Sequence, residues 1–244
     1  MARVVFGVTV PVTAQAFLMG QLKEMISQGW DTHLVTSPGR EVKQLEGIPD
    51  LRVYLIQMER DPAPITDISS LRQWYRLLKE IRPDVLVLST PKASLLGLVA
   101  GWFLNIPVRV YHVRGLRAEG TQGITKGLSV LAERVSARLA TDVIVDSSSL
   151  LARLRDLRIL RNSQGLVLGL GSSCGVDTKY FRPPTTHERT EARKELGVPG
   201  HSTFVIGSVG RVTRDKGIPE LITGIRELRK TESDVCCIIT GPIE

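Results

Sequence analysis

The sequence has few cysteines and few aromatic residues, and each shortage excludes a class of protein. Its three cysteines, Cys174, Cys236 and Cys237, are too few and too unevenly spaced for a disulfide framework or a zinc site. Aromatic residues make up 5% of the chain, which argues against the aromatic and basic platforms that bind single-stranded nucleic acid. We therefore expect inert thiols, no bound metal and no nucleic-acid partner.

A long apolar run is also missing. The most apolar segment is ASLLGLVAGWFLNI, residues 93–106, which is shorter than the roughly 20 residues that span a bilayer and predicts a buried helix. The opening residues MARVVFGVTVPV lead directly into a strand-like run, without the spacer and small-residue cleavage site of a secretory signal. The expectation is a cytoplasmic protein with no membrane span.

Positive charge is in excess, because 32 lysines and arginines stand against 25 acidic residues. A net charge of +7 predicts an anionic partner, such as a membrane surface or a phosphorylated ligand, without choosing between them. The segment SLLARLRDLRILRNSQG, residues 149–165, interleaves four arginines with leucines. Two interpretations fit this segment. It binds an anionic membrane peripherally, or it is a helix that covers the sheet and keeps its arginines in solvent.

Short apolar runs alternate with segments of helical periodicity along the first two thirds of the chain. These runs are nearly continuous in apolar residues, as in strands of a parallel sheet with helices on both faces. They occupy residues 3–10, 32–37, 51–56, 84–90, 108–113 and 142–148. The pattern predicts a doubly wound, Rossmann-like α/β domain over residues 1–170.

A second, smaller region follows a break in this pattern. Residues 171–187 are rich in Gly, Ser, Thr and Pro and form a candidate linker. Residues 188–244 then contain a short charged helix, two strand-like runs and an amphipathic helix between those runs. This is part of a second α/β domain, too small to bury both faces of its own sheet.

The stretch GSVGRVTRDKG in the second region has the features of a phosphate-binding turn. Gly210 and Gly217 would let a ligand approach the backbone, and the helix that follows offers free N–H groups and a positive dipole. Arg211 and Lys216 add positive charge. The stretch lacks the ending of a P-loop, so a strand–helix loop with solvated charges remains the alternative.

GSVGRVTRDKG closely resembles the second-domain donor loop of the retaining GT-B glycosyltransferases of family 4. GVDTKYFRPP, residues 175–184, resembles the segment by which those enzymes pass from acceptor domain to donor domain. The resemblance implies that Arg211 and Lys216 bind the diphosphate of a nucleotide-sugar, which is a co-substrate, with no metal or other cofactor. It also implies transfer to a glycan or polyprenol-linked acceptor in surface polysaccharide synthesis, at the cytoplasmic membrane face.

In the first domain we expect the site at the carboxyl ends of the strands, where such sheets bind ligands. By the resemblance, His112 is the catalytic candidate, because related enzymes carry a functional histidine after a comparable strand. Arg114 and Arg117 are candidate contacts to an anionic acceptor or the donor. Thr13 could cap the first helix and donate its hydroxyl to a ligand. We interpret the other histidines, His33, His187 and His201, as structural or exposed.

The sequence departs from the family in two places. The paired glycines that often follow the first strand are replaced by TVPVT, residues 9–13. The acidic motif that contacts donor sugar and ribose would lie beyond Glu244, so we expect a truncated donor domain and a chain that is inactive alone. A non-catalytic basic binding module is the main alternative. An NAD-dependent oxidoreductase is a lesser one, since no GxGxxG follows the first strand.

Overall fold

The protein forms two compact units, Met1–Gly175 and Val176–Glu244. The structure is a computed structural model that describes residues 1–59, 61–116, 120, 123–198, 203–232 and 234–243. The functional division into an acceptor side, a linker and a donor side stays a prediction. No helix of the described residues combines the length and the apolar character that crossing a membrane requires.

The first unit is a six-stranded parallel sheet flanked by helices, which confirms the predicted fold class. The strand order is β3-β2-β1-β4-β5-β6, so the direction of winding reverses between β1 and β4. Its elements are β1 (Arg3–Gly7), α1 (Pro11–Phe17), α2 (Met19–Ser27), β2 (Asp31–Thr36), α3 (Val42–Glu46), β3 (Leu51–Leu55), α4 (Pro64–Ile81), β4 (Val85–Ser89), α5 (Pro91–Phe103), β5 (Val108–Val113), α6 (Gly123–Leu139), β6 (Asp142–Val145) and α7 (Ser148–Asp156).

Two apolar clusters hold this sheet, one on each face. Successive side chains of a strand point to opposite faces, so Val4 and Phe6 of β1 pack with α1, α2 and α3, whereas Val5 packs with α4 to α7. Helix α5 approaches the sheet closely because its inner side carries glycines. A Cβ on Gly97 would lie 2.6 Å from Leu88 Cδ1, and one on Gly101 would lie 2.8 Å from Leu86 Cδ2.

The local boundaries differ from the sequence prediction at the first strand. β1 ends at Gly7 rather than at Val10, because Pro11 begins α1 with a fixed φ and no N–H to satisfy. The segment of helical periodicity between the first two strands forms two helices, α1 and α2. The five-residue α3 was not predicted, since it is too short to show a period.

The second unit contains α8 (Thr186–Glu195), β7 (Phe204–Val209), a 3₁₀ turn (Arg214–Lys216), α9 (Ile218–Leu228) and β8 (Val235–Thr240). β7 and β8 pair in parallel, with Phe204 opposite Val235. A capping box begins α8, in which the Thr185 hydroxyl accepts from Glu188 N–H and the Glu188 carboxylate accepts from Thr185 N–H.

Candidate functional site

The loops after β1 and β4 meet where the winding of the sheet reverses, and two threonines connect them. Thr9 N–H donates to Thr90 Oγ1 at 2.9 Å, and the two hydroxyls are 2.8 Å apart. Ala93 N–H, in the first turn of α5, donates to Thr9 Oγ1 at 3.3 Å. Thr90 has a φ of 77°, which strains a β-branched residue and is typical of functional sites. Neither threonine was predicted as a site residue, although both follow neighbouring strands.

His112 lies in β5, near the carboxyl end of the strand, and is 6% exposed. Its Nε2 is 2.7 Å from Asp146 Oδ1, in the loop after β6. Burial lowers the pKa of His112 below its usual range, and the Arg114 guanidinium lowers it further, against the opposing effect of Asp146. A neutral ring beside an ionised carboxylate carries its proton on Nε2, which leaves Nδ1 as a hydrogen-bond acceptor.

Asp146 and Arg114 extend this arrangement to the segment after β6. Ser173 Oγ donates to Asp146 Oδ2, and Arg114 Nη1 donates to the Ser173 carbonyl oxygen at 2.6 Å. The Arg114 guanidinium also lies over the Phe17 ring, 5.4 Å from its centroid. The structure thus brings His112 and Arg114 to one cluster with Asp146 and Ser173, for which the sequence carries no periodic signal. Arg117 lies outside the described residues.

A cavity of about 380 Å³ and another of about 340 Å³ open on this unit. The smaller one has His112 in its wall, together with apolar residues of the sheet and polar residues of α2. Its lining includes Phe6, Val87, Val110, Ile144, Gln21, Glu24 and Ser172. An imidazole, a carboxylate and an amide therefore face a largely apolar space that a small polar ligand can enter.

Thr13 does not cap the first helix, which corrects the sequence prediction. α1 begins at Pro11, its N-cap is Val10, and no side chain caps it. Thr13 is instead half-buried in the first turn, with its N–H donating to Val10 O at 3.1 Å. A ligand contact by its hydroxyl stays a prediction.

Of the other histidines and the cysteines, Cys174 directly follows Ser173 and acts on the charge of Arg114. His33 is buried in β2 and stacks on Tyr54, and His187 is exposed in α8. His201 lies outside the described residues. All three cysteines are free thiols, with Cys174 exposed, and no group of three ligating side chains in the described ranges could hold a metal ion.

The arginine-rich segment of residues 149–165 covers the sheet. Only residues 148–156 are helical, as α7, and Leu154, Ile159 and Leu160 are buried in the core. Arg155 Nη2 donates to the Gln164 carbonyl oxygen at 3.3 Å. Because its leucines and isoleucine are buried or half-buried against the core, this segment does not offer an apolar face to a membrane, and the binding-module interpretation loses its main support.

In the second unit, Arg211 and Lys216 lie between β7 and α9. Arg211 Nη2 is 3.2 Å from Asp215 Oδ2, and Lys216 Nζ is 3.9 Å from the same oxygen. Both side chains are about half exposed. Gly217 has a φ of 74° and forms the N-cap of α9, where no side chain caps the helix. Two cations thus lie close to one carboxylate at the start of a helix, and such an arrangement can bind an anion.

The loop that carries these cations is held by the backbone after β8. Gly210 N–H donates to Thr240 O at 2.9 Å, and Val212 N–H donates to Pro242 O at 2.8 Å. Gly241 passes so close to Gly210 that a Cβ on it would overlap the Gly210 carbonyl oxygen. Close backbone packing therefore fixes where the loop begins.

Comparison with known proteins finds similar glycosyltransferases. CapM of Staphylococcus aureus, a capsular polysaccharide biosynthesis glycosyltransferase, is 32% identical over 227 residues, which are 93% of this chain and 58% of CapM. D-inositol 3-phosphate glycosyltransferase of Corynebacterium jeikeium (strain K411) is 30% identical over 155 residues, 58% of this chain and 35% of that enzyme. HepE of Anabaena, solved with UDP and glucose, matches with a TM-score of 0.78 and 19% identity, covering 100% of this chain and 62% of HepE.

These likenesses confirm the predicted GT-B class of fold, and the chain spans about three fifths of the length of CapM and of HepE. The model of the glycosyl transferase 4-like domain matches residues 13–171, which include β5, His112 and Asp146. The chain therefore belongs to the family of glycosyl transferase 4-like domains.

Proposed function

We propose that this chain supplies the acceptor-side domain and the first donor-binding loop of a retaining glycosyltransferase. The enzyme would move a sugar from a nucleoside diphosphate to a glycan or polyprenol-linked acceptor during surface polysaccharide synthesis at the cytoplasmic membrane face. CapM, similar over 93% of this chain, supports the pathway class, and the UDP and glucose bound to HepE support the donor class.

The observation that carries the proposal is the shared position of Arg211 and Lys216. Both cations lie within 3.9 Å of one Asp215 oxygen, so both can reach a single anionic group at the start of α9. A diphosphate would compete with Asp215 for them, and would gain from the uncapped N–H groups of the helix. Pro219 lacks an N–H, which leaves more of the binding to the two side chains.

The chemistry needs positive charge where the diphosphate leaves. Arg211 and Lys216 would stabilise the negative charge that develops as the bond from the anomeric carbon to the diphosphate breaks, and no metal is needed for that. In the retaining reaction a phosphate oxygen would take the proton of the attacking acceptor hydroxyl. His112 is then free to bind rather than to act as a base. Its Nδ1 would accept a hydrogen bond from a sugar hydroxyl while Asp146 fixes the ring.

Calorimetric titration of the chain with UDP tests the donor loop. We expect Arg211→Ala and Lys216→Ala each to weaken binding roughly 10- to 100-fold, the range for a hydrogen bond to a charged group. Lys230→Ala is the matched control, because Lys230 follows α9 at its other end and pairs with Glu227. UDP binding that is absent in the wild type, or equal in the wild type and both variants, would contradict the assignment.

The two alternatives lack comparable support. The binding module depended on residues 149–165, whose leucines and isoleucine are buried or half-buried against the core. An oxidoreductase would need a glycine fingerprint after β1, where the residues are Val8, Thr9 and Val10.

A further inference from the structure

Helix α5 buries Leu96 and Leu98 in the core but exposes bulky apolar residues near its end. Glycines occupy positions 97 and 101 against the sheet, whereas Trp102 is 49% exposed and Phe103 is 63% exposed. Leu95 and Val99, half-buried, precede them at helical spacing. The sequence predicted a buried helix here, but one side of this apolar helix faces solvent. A helix that is apolar all round usually has a partner on every side.

The neighbouring helices extend the same surface. Ile65 and Ile68 of α4 are 88% and 54% exposed, and Leu128 and Leu131 of α6 are each 53% exposed. The cavity of about 380 Å³ lies between the first half of α5 and α6, and a groove of about 240 Å³ lies between α4 and the second half of α5. We call this surface the α4–α6 face. Its members are Ile65, Ile68, Tyr75, Leu95, Val99, Trp102, Phe103, Leu128 and Leu131. An apolar surface shared by three helices marks an interaction site.

The charges on the α4–α6 face are positive. Arg72 and Arg76 line the groove beside Tyr75 and Phe103, and no acidic residue lines that groove among the described residues. One turn later along α4, Lys79 and Glu80 follow Arg76 by three and four positions, and their opposite charges offset each other. Basic side chains beside exposed aromatic rings are the pattern of a surface that lies in the headgroup region of a membrane.

The acidic residue that lines the larger cavity is already neutralised. Asp67 Oδ1 is 2.6 Å from Lys92 Nζ, which also donates to the Asp61 carbonyl oxygen at 2.6 Å. This ion pair is largely buried, so it adds no net charge to the face. The uncompensated charge therefore comes from Arg72 and Arg76.

We propose that the α4–α6 face docks on an anionic lipid bilayer. The apolar and aromatic side chains would enter the headgroup boundary, and Arg72 and Arg76 would pair with lipid phosphates. This surface differs from the arginine-rich segment singled out in the sequence. The proposal depends on the chemistry of the face and not on sugar transfer, so vesicle binding tests it even if UDP binding fails.

Co-sedimentation of the full chain with vesicles tests the proposal. We expect binding to phosphatidylcholine vesicles that contain phosphatidylglycerol, weaker binding to phosphatidylcholine alone, and weakening with salt. Arg72→Gln with Arg76→Gln should lower the partition coefficient about fivefold for each arginine. Phe103→Ser should lower it roughly tenfold by removing an inserted apolar side chain.

The controls lie outside the face. Arg40→Gln changes an exposed arginine before α3, and Leu55→Ser changes a 47% exposed side chain on the α1–α3 side of the sheet. Both should bind as the wild type does. Trp102 also reports docking directly, because its emission should shift to shorter wavelength on vesicles and the shift should disappear in Trp102→Phe.

Three results would overturn the proposal. The first is no binding to anionic vesicles at low salt. The second is binding that survives both the double arginine variant and Phe103→Ser, each shown to be folded by circular dichroism. The third is a dimer in sedimentation velocity that Phe103→Ser abolishes, because a second copy of the chain would then cover the face.

Discussion

Glu133→Gln should make the first unit more stable at alkaline pH than the wild type. Glu133 is 2% exposed in α6, and its Oε2 accepts a hydrogen bond from the Tyr111 hydroxyl of β5. Its Oε1 has no hydrogen-bond partner among the described residues. Burial raises the pKa of Glu133 to about 7, against the lowering effect of the Tyr111 hydroxyl. In the folded protein the carboxyl group therefore stays largely neutral at pH values below about 7.

The sign and the size of this effect follow from the linkage between proton binding by Glu133 and folding. The folded state holds this proton more tightly than the unfolded state, whose Glu has a pKa of 4.5, so stability falls as pH rises from 4.5 towards 7. Raising the pKa from 4.5 to about 7, at about 1.4 kcal/mol per pKa unit, changes the free energy of unfolding by about 3 kcal/mol. Glutamine does not titrate. From pH 5 to pH 8 the stability of Glu133→Gln relative to the wild type should rise by about 2 to 3 kcal/mol.

Urea unfolding followed by tryptophan fluorescence measures this difference. All three tryptophans, Trp30, Trp74 and Trp102, lie in the first unit, so the signal reports that unit. Subtracting the wild-type profile removes the contribution of every other titrating group. Glu46→Gln, at an exposed position of α3, controls for the loss of one carboxylate.

A variant that raises the pKa of Glu133 further provides a second test. Tyr111→Phe removes the hydroxyl that lowers the pKa of Glu133, so it should enlarge the loss of stability with pH. Parallel profiles for the wild type and Glu133→Gln between pH 5 and pH 8 would refute the reasoning, because Glu133 would then titrate alike in folded and unfolded chains.

Two further predictions concern the candidate residues of the first unit and, separately, those of the second unit. Asp146→Asn should lower the pKa of His112, measured by NMR titration of the imidazole, because Asp146 raises that pKa; an unchanged or higher pKa would contradict the contact. Gly241→Ala should destabilise the loop that holds Arg211 by about 1 to 3 kcal/mol, seen as faster hydrogen exchange at the Gly210 and Val212 amides. Gly207→Ala is its control, since no atom lies within 4 Å of a Cβ there, and equal exchange in both variants would contradict the packing argument.

Local patterns predicted the elements better than their ends. The valine-rich runs around β1, β4 and β5 are strands, and the periodic segments are helices, because each pattern reflects burial of one side. The end of β1 was predicted too late, since the pattern of apolar residues continues through Val8 and Val10 while Pro11 already begins the helix. Short α3 left no pattern to detect.

The candidate site was predictable where its residues share one loop. Arg211 and Lys216 are five positions apart in a glycine-bounded stretch, and the structure gathers them around Asp215. His112, in β5, and Arg114 are also close in the chain. Asp146 and Ser173 were not predicted, because they lie 34 and 61 positions beyond His112; pairing of β5 with β6 brings Asp146 to His112, and Ser173 binds Asp146.

The sequence by itself determined the alternation of strands and helices, the fold class and the basic loop before α9, since each depends on residues close together in the chain. The tertiary structure alone decided which groups meet across distance: Asp146 with His112, Thr9 with Thr90, and Glu133 with Tyr111. It also decided which apolar residues stay exposed. Composition predicted a buried α5, but the glycines face the sheet and turn Trp102 and Phe103 outward, because a helix of small inner residues packs closely there.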